Sequence, residues 1–180
     1  MEIESKRLIL KEIGWDDLEN IHELHSIPEV DEFNTLGLPK NIEETREVIR
    51  PIVEEPRSAK RHHISWKIVS KESLDFIGLA GMVLSADKYK GGEIYYKLLP
   101  VHWGHGYATE VSKALIKAGF DDFKLHIVSA GVATENIQSI RVLEKSRMTR
   151  EGLRRKILPI RGEWVDNYQY AILEDDPRDF

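Results

Sequence analysis

No cysteine occurs anywhere in the chain. That removes thiol nucleophiles, thiolate zinc sites and disulfide scaffolds, and nothing argues for an oxidising compartment. Proline and glycine are also scarce, with seven and 12 residues, too few for a collagen-like or disordered chain. Long apolar runs are missing. The longest, within residues 76–84, is broken by Gly78 and Gly81 and falls far short of the ~18–20 residues that span a bilayer. The first seven residues are polar and lack the basic-then-apolar layout of a signal peptide, so the expectation is a cytoplasmic protein without a membrane partner. Positive charge is not in excess. With 26 Lys and Arg against 31 Asp and Glu the net charge is −5, which disfavours direct nucleic-acid binding, since phosphate contacts need a basic face.

What is present is ordinary globular composition, 41% apolar and 32% charged over 180 residues. A chain of this length buries roughly two-thirds of its unfolded surface and reads as one domain, residues 1–180. Residues 7–13 read as a strand. Gly14 and Trp15 break it, and Asp16 with Glu19 fits a capping box for a helix carrying Leu18, Ile21 and Leu24 on one face. Pro28, Gly37 and Pro39 mark a loop, after which Asn41 and Glu44 cap a second helix through Val48, Ile49, Ile52 and Val53, kinked or split by Pro51. Alternating Ile64, Trp66 and Ile68 and the run 75–86 read as a strand pair, and 93–99 as a third strand ending at Pro100. Residues 107–120 then show helical spacing, 125–133 a strand, 137–148 a helix, and 153–173 two strands turning near Arg161-Gly162-Glu163. The order β, α, α, β-β-β-α-β-α-β-β predicts an α/β fold of the mixed α+β kind. It is a single domain with one mixed, mostly antiparallel sheet of about six or seven strands, flanked by about four helices.

The most informative stretch runs from Leu99 to Glu110 and joins a strand end to a helix start. The first turn of a helix carries unpaired N–H groups and the positive end of the dipole, so such a junction is an anion site. Gly104, Gly106 and Ala108 leave the backbone open to a pyrophosphate. No Lys-Ser/Thr follows, which excludes a P-loop, and the third glycine and downstream acid of a dinucleotide fingerprint are missing. A Gly-rich turn into a helix is also, often, only a turn.

Trp103-Gly104-His105-Gly106-Tyr107-Ala108 resembles the acyl-CoA pyrophosphate loop of the GCN5-related N-acetyltransferases (GNAT), Q/R-x-x-G-x-G/A, in the form typical of the RimJ/RimL-type ribosomal-protein-alanine branch. Arg7-Leu8-Ile9-Leu10, Asn136-x-x-Ser139-x-x-x-Leu143-Glu144-Lys145 with Glu151-Gly152, and Gly162-Glu163-Trp164-x-Asp166 match that branch in order and spacing, over nearly the whole chain. Two departures stand out. Trp103 replaces the usual Gln or Arg, which is normal for the branch, and Arg147-Met148 replaces Gly-Phe, which bears on the turn after the helix.

The resemblance implies acetyl-CoA as cosubstrate, lying along the splayed edge of strand 93–99, with no metal. Its pantetheine would bond like an added strand, and its pyrophosphate would sit on residues 103–109, drawing in Leu98, Leu99, Val101, Trp103, Gly104, His105, Gly106, Tyr107, Ala108 and Thr109. Transfer of acetyl to an amine needs a neutral amine, an oxyanion donor and a proton for the departing thiolate. Glu93 is the candidate base, although an acid at a strand start beside Gly91-Gly92 is commonly just solvated. The oxyanion donor would be a backbone N–H near Leu98 or Leu99. Asn136 is a helix N-cap that in the family also touches the pantetheine arm. Ser139 is a further cofactor contact and, because residues 136–148 lack the tyrosine many members use, Ser139 or a water is the candidate acid.

The acceptor expected by analogy is a protein or peptide N-terminal α-amine. A small amine (antibiotic, polyamine or amino acid) is the alternative, and a non-catalytic acetyl-CoA-binding domain a third class. Acceptor choice falls to loops 26–40 and 56–63, where Glu29, Asp31 and Glu32 suggest a cationic acceptor. The pairs His22/His25 and His102/His105 lack a third metal ligand. His62-His63 beside Lys60-Arg61 reads as a solvated loop, Trp164 as packing, and Arg154-Arg155-Lys156 as edge-strand charge. The resemblance also implies a homodimer through a late strand, although no stretch is an unmistakable interface.

Overall fold

The computed structural model describes residues 1–55 and 61–180. Its strands are β1 (Glu2–Glu4), β2 (Leu8–Glu12), β3 (His63–Ser70), β4 (Phe76–Leu84), β5 (Gly91–Leu98), β6 (Ile127–Ala133), β7 (Thr149–Ile160) and β8 (Glu163–Leu173). The helices are α1 (Leu18–His25), α2 (Pro28–Asp31), α3 (Ile42–Val53), α4 (Tyr107–Asp121) and α5 (Ile137–Lys145). One mixed sheet of eight strands, in the order β1-β2-β3-β4-β5-β6-β8-β7, carries helices on both faces. It is close to the six or seven strands expected. The extra strand, β1, is three residues long and too short to show an alternation, and it pairs with β2 through Ile3 and Leu10.

Three local expectations are corrected. Asp16 and Glu19 do not cap α1; Asp17 precedes the helix without a side-chain bond to its first turn, and its Oδ2 instead accepts from the Gly14 N–H at 3.0 Å, closing the short 3-10 turn Trp15–Asp17. The segment after Pro28 is not all loop, because proline at the first helical position starts the single turn α2. Pro51 does not split α3. It lies in the last turn, where only one carbonyl partner is lost, and Asn41 Oδ1 caps the other end by accepting from Glu44 N–H at 3.1 Å.

Strand alternation sorts the sheet into two faces. The face under α4 and α5 holds the larger core, including Leu8, Leu10, Trp66, Ile68, Met82, Ile94, Leu115 and Val128. The face under α1 and α3 holds a smaller one of Ile13, Leu18, Ile21, Leu24, Ile49 and Leu79. Each fully buried Leu or Ile contributes roughly 1.5–3 kcal/mol, so both faces are firmly fixed to the sheet.

The feature that creates a site is the single parallel pairing. β5 and β6 are in register only at Gly91–Glu93 with Ile127–Ser129 and then diverge, so from Ile94 to Leu98 β5 is paired on its β4 side alone. The wedge between them opens a cleft of about 1160 Å³.

Candidate active site

The side of the cleft next to α4 is built from main chain. Leu99 N–H donates to the Ile77 carbonyl at 2.9 Å, and the alternation of the antiparallel pair then turns the Leu98 backbone toward the cleft. Trp103 Nε1 donates to the Leu98 carbonyl at 2.9 Å, so the indole ties the loop to the strand edge. Of the two expected oxyanion donors, the Leu99 N–H is therefore occupied, and the Leu98 N–H faces the cleft.

The loop beyond Trp103 needs its glycines. Gly104 and Gly106 have φ of +79° and +78°, the left-handed region that side chains strain to enter. Gly106 opens α4, and the first intrahelical bond runs from Glu110 N–H to the Gly106 carbonyl at 3.1 Å. The N–H groups of Tyr107, Ala108 and Thr109 are left without intrahelical partners at the positive end of a 15-residue helix.

Arg7 holds this loop from the N-terminal strands. Its Nη1 donates to the His105 carbonyl at 3.0 Å, its Nε to Glu110 Oε2 at 2.7 Å, and its guanidinium stacks 4.4 Å over the Tyr107 ring. Burial alone would raise the Glu110 carboxyl. Hydrogen bonds from the Arg7 backbone N–H, the Ser5 hydroxyl and the Arg7 side chain hold it below the ordinary carboxylate value instead.

Leu98, Trp103, Gly104, Gly106, Tyr107, Ala108, Thr109, Asn136, Ser139 and Glu93 all line the cleft. Three of the expected residues do not. Leu99 packs against the smaller core, Val101 is 73% exposed, and His105 points outward with Nδ1 on its own loop's Trp103 carbonyl at 2.8 Å. Asn136 is an N-cap, its Oδ1 accepting from Ser139 N–H at 3.1 Å.

Sequence reasoning missed Tyr96. It lies on the α4/α5 face of β5 with Ile94 and Leu98, and its hydroxyl stands 3.0 Å from Ser139 Oγ. A phenol absent from α5 is thus supplied by the strand opposite. Burial pushes the Tyr96 hydroxyl up to about 12, partly offset by Ser139, so it keeps its proton at neutral pH. Alternation along 93–98 was the available signal, but the partner lies 43 residues away.

The other face of β5 carries Glu93, Tyr95 and Lys97. The Tyr95 hydroxyl bonds His63 Nε2 at 2.8 Å and the Ser65 hydroxyl, and burial pushes it up to about 12 as well. Burial lowers the Lys97 ammonium below its ordinary value, against the pull of Asp31. Burial, then Lys97 and His22, push His25 down to about 4, so this imidazole is neutral. Of the acidic loop residues, Glu29 and Glu32 line the cleft, whereas Asp31 is 5% exposed and lies beneath them. His22 Nδ1 contacts Thr45 Oγ1 at 2.8 Å, and among the described residues no group of three His, Asp or Glu is placed to hold a metal. Trp164 is 63% exposed, contrary to the packing role expected of it, and Asp166 Oδ1 instead pins β7 by accepting from Lys156 N–H at 2.7 Å. Lys60 and most of loop 56–63 lie outside the described residues.

A sheet that splays beside a helix N-terminus, with a glycine-opened loop between, defines an acyl-CoA-binding transferase fold. Residues 7–149 match the family described as the acetyltransferase (GNAT) domain. The chain is 31% identical to the uncharacterized N-acetyltransferase YoaA of Bacillus subtilis, over 96% of both chains. It is 30% identical to YnaD of the same organism, over 98% of this chain and 99% of that one. A solved GNAT-family acetyltransferase from Bacillus anthracis superposes with a TM-score of 0.84 at 31% identity, covering 98% of this chain and 100% of that one. The spermidine N-acetyltransferase of Vibrio cholerae, solved with CoA and spermine, shares the fold at a TM-score of 0.81 and 20% identity, covering 93% and 95%. The chain belongs to the GNAT acetyltransferases and is an acetyl-CoA-dependent N-acetyltransferase.

Proposed function

We propose that this single domain acetylates the α-amine of a protein or peptide by direct attack in a ternary complex. Acetyl-CoA supplies an activated acetyl group as a thioester. The observation that carries the reading is the one-sided pairing of β5 from Ile94 to Leu98 beside the free N–H groups of α4, which fits a pantetheine followed by a pyrophosphate. Arg141 and Lys145 on the cleft side of α5 add positive charge suited to a phosphorylated ligand.

Glu93 takes a proton from the amine as its nitrogen bonds the acetyl carbon and the carbon–sulfur bond breaks. The Leu98 N–H stabilises charge developing on the acetyl oxygen. Ser139 passes its hydroxyl proton to the departing sulfur as Tyr96 passes its own to Ser139, and the Tyr96 phenolate regains a proton from water entering the cleft as CoA leaves. An α-amine suits this machinery, because with a pKa near ~7.7–8.0 roughly a tenth or more is neutral at pH 7, against almost none of a lysine near ~10.4. The Trp-Gly-x-Gly-Tyr-Ala loop supports the RimJ/RimL-type branch, and the late strand β7, an unpaired sheet edge, is compatible with a homodimer.

Glu29 and Glu32 on the cleft wall favour a second reading, a small cationic amine. Thiol release from acetyl-CoA tests both, and the chain has no cysteine to confuse the readout. A panel of peptides with free N-termini, spermidine and aromatic amines should show turnover with peptides. Turnover with spermidine alone, lost in Glu29→Gln/Glu32→Gln, would establish the second reading in its place.

A further inference from the structure

The acceptor face of the cleft contains a polar side chain that the fold does not use. Asn167 on β8 is 3% exposed, lines the cleft, and has no hydrogen-bond partner among the described residues for its side-chain amide. The residue is packed into the sheet while its amide stays open to the cleft, so the amide is free to bond a ligand there. Register places it precisely enough to say where. β6 pairs β8 with Gly131 opposite Gln169 and Ala133 opposite Asn167, so Gly131 and Asn167 share the face that also carries Glu93.

Gly131 is the hollow between them. A Cβ there would stand 3.0 Å from Asn167 Oδ1 and 3.3 Å from Glu93 Oε1. The missing side chain leaves a small void flanked by a carboxylate oxygen and a carboxamide oxygen, both hydrogen-bond acceptors when Glu93 is ionised.

We propose that Glu93, Gly131 and Asn167 form the seat of the acceptor amine and restrict it to primary amines. This deepens the acetyl-transfer reading and rests on Glu93 facing the amine. A neutral primary amine has two N–H donors and one lone pair. Glu93 accepts one N–H, Asn167 Oδ1 accepts the other, and the lone pair is left facing the wedge between β5 and β6. A secondary amine has one N–H and a methyl group that Asn167 cannot bond. Asn167 is therefore a specificity-determining residue.

The direct test does not depend on knowing the natural acceptor. The ¹⁵N-labelled protein saturated with CoA is titrated with methylammonium and, in parallel, with tetramethylammonium, which has no N–H. The Asn167 side-chain amide signals, identified by their loss in Asn167→Leu, should move saturably with methylammonium only. Signals that ignore both ions, or follow both alike, would overturn the seat. Kinetics give a second arm, using a hexapeptide beginning with Ala and its N-methyl-Ala counterpart. The wild type should prefer the free α-amine by about tenfold, and Asn167→Leu should lose that preference. Asn167→Leu should also melt near the wild-type temperature, because the amide makes no hydrogen bond within the fold; a lowered melting temperature with the preference intact would mark Asn167 as structural. If Asn167 follows methylammonium while no amine is acetylated, the seat stands and the transfer reading fails.

Discussion

The two walls of the cleft are made differently. The wall proposed for the cofactor is backbone: a strand edge from Ile94 to Leu98, a glycine-opened loop and the first turn of α4, fastened by Trp103 and Arg7. The wall proposed for the acceptor is side chains, with Glu93, Asn167, Glu29 and Glu32 brought from β5, β8 and the region of α2. Backbone recognition suits a ligand that never changes. A wall of side chains can be rewritten residue by residue to suit a different amine without disturbing the wedge.

That division separates the effects of substitutions. Glu93→Gln strikes the acceptor wall alone and should lower kcat by about 10²–10⁴ while leaving acetyl-CoA affinity unchanged, read by steady-state rates beside equilibrium binding. A parallel loss of acetyl-CoA binding would mean the two walls are not independent. Tyr96→Phe acts on the cofactor side and should cost about tenfold in kcat with the KM for amine unmoved, since it removes one hydrogen bond behind Ser139. Acid should loosen the loop that Arg7 and Glu110 hold together. The Glu110 carboxyl is depressed in the folded protein, so its contribution is complete above the unfolded value near ~4.3 and is lost as pH falls through the folded value. Glu110→Gln should therefore flatten the pH dependence of melting on the acid side.

The smallest effect lies outside both walls. Arg147 holds φ at +64° after α5, with Met148 N–H reaching back to the Leu143 carbonyl at 3.1 Å, a turn that normally takes glycine. The departure from Gly-Phe leaves the turn intact at the expense of a strained arginine. Arg147→Gly should raise unfolding free energy by about 1 kcal/mol and change no kinetic constant.

The cofactor wall was legible in the sequence because it is local: Gly104, Gly106 and the helix start lie within a few residues of one another, and glycine spacing reports backbone directly. The succession of strands and helices along the chain followed from periodicity, the order of strands within the sheet did not, and the missed elements were β1 and α2, each too short to have a period. The acceptor wall was only partly legible. Glu93 stood out by its place on the strand, but Asn167 lies 74 residues further along the chain, counted between the two numbers, and only register brings it to Gly131. Tyr96 was hidden for the same reason, because its role depends on a hydroxyl from another element.

The central claim is that the wedge and the N-terminus of α4 hold acetyl-CoA. Calorimetric titration of the protein and of Gly106→Glu tests it most directly, with ATP and NAD as controls. Saturable heat with acetyl-CoA, absent with the controls and abolished by a carboxylate placed at the mouth of α4, is the predicted result. Equal acetyl-CoA binding by both folded proteins would contradict the account.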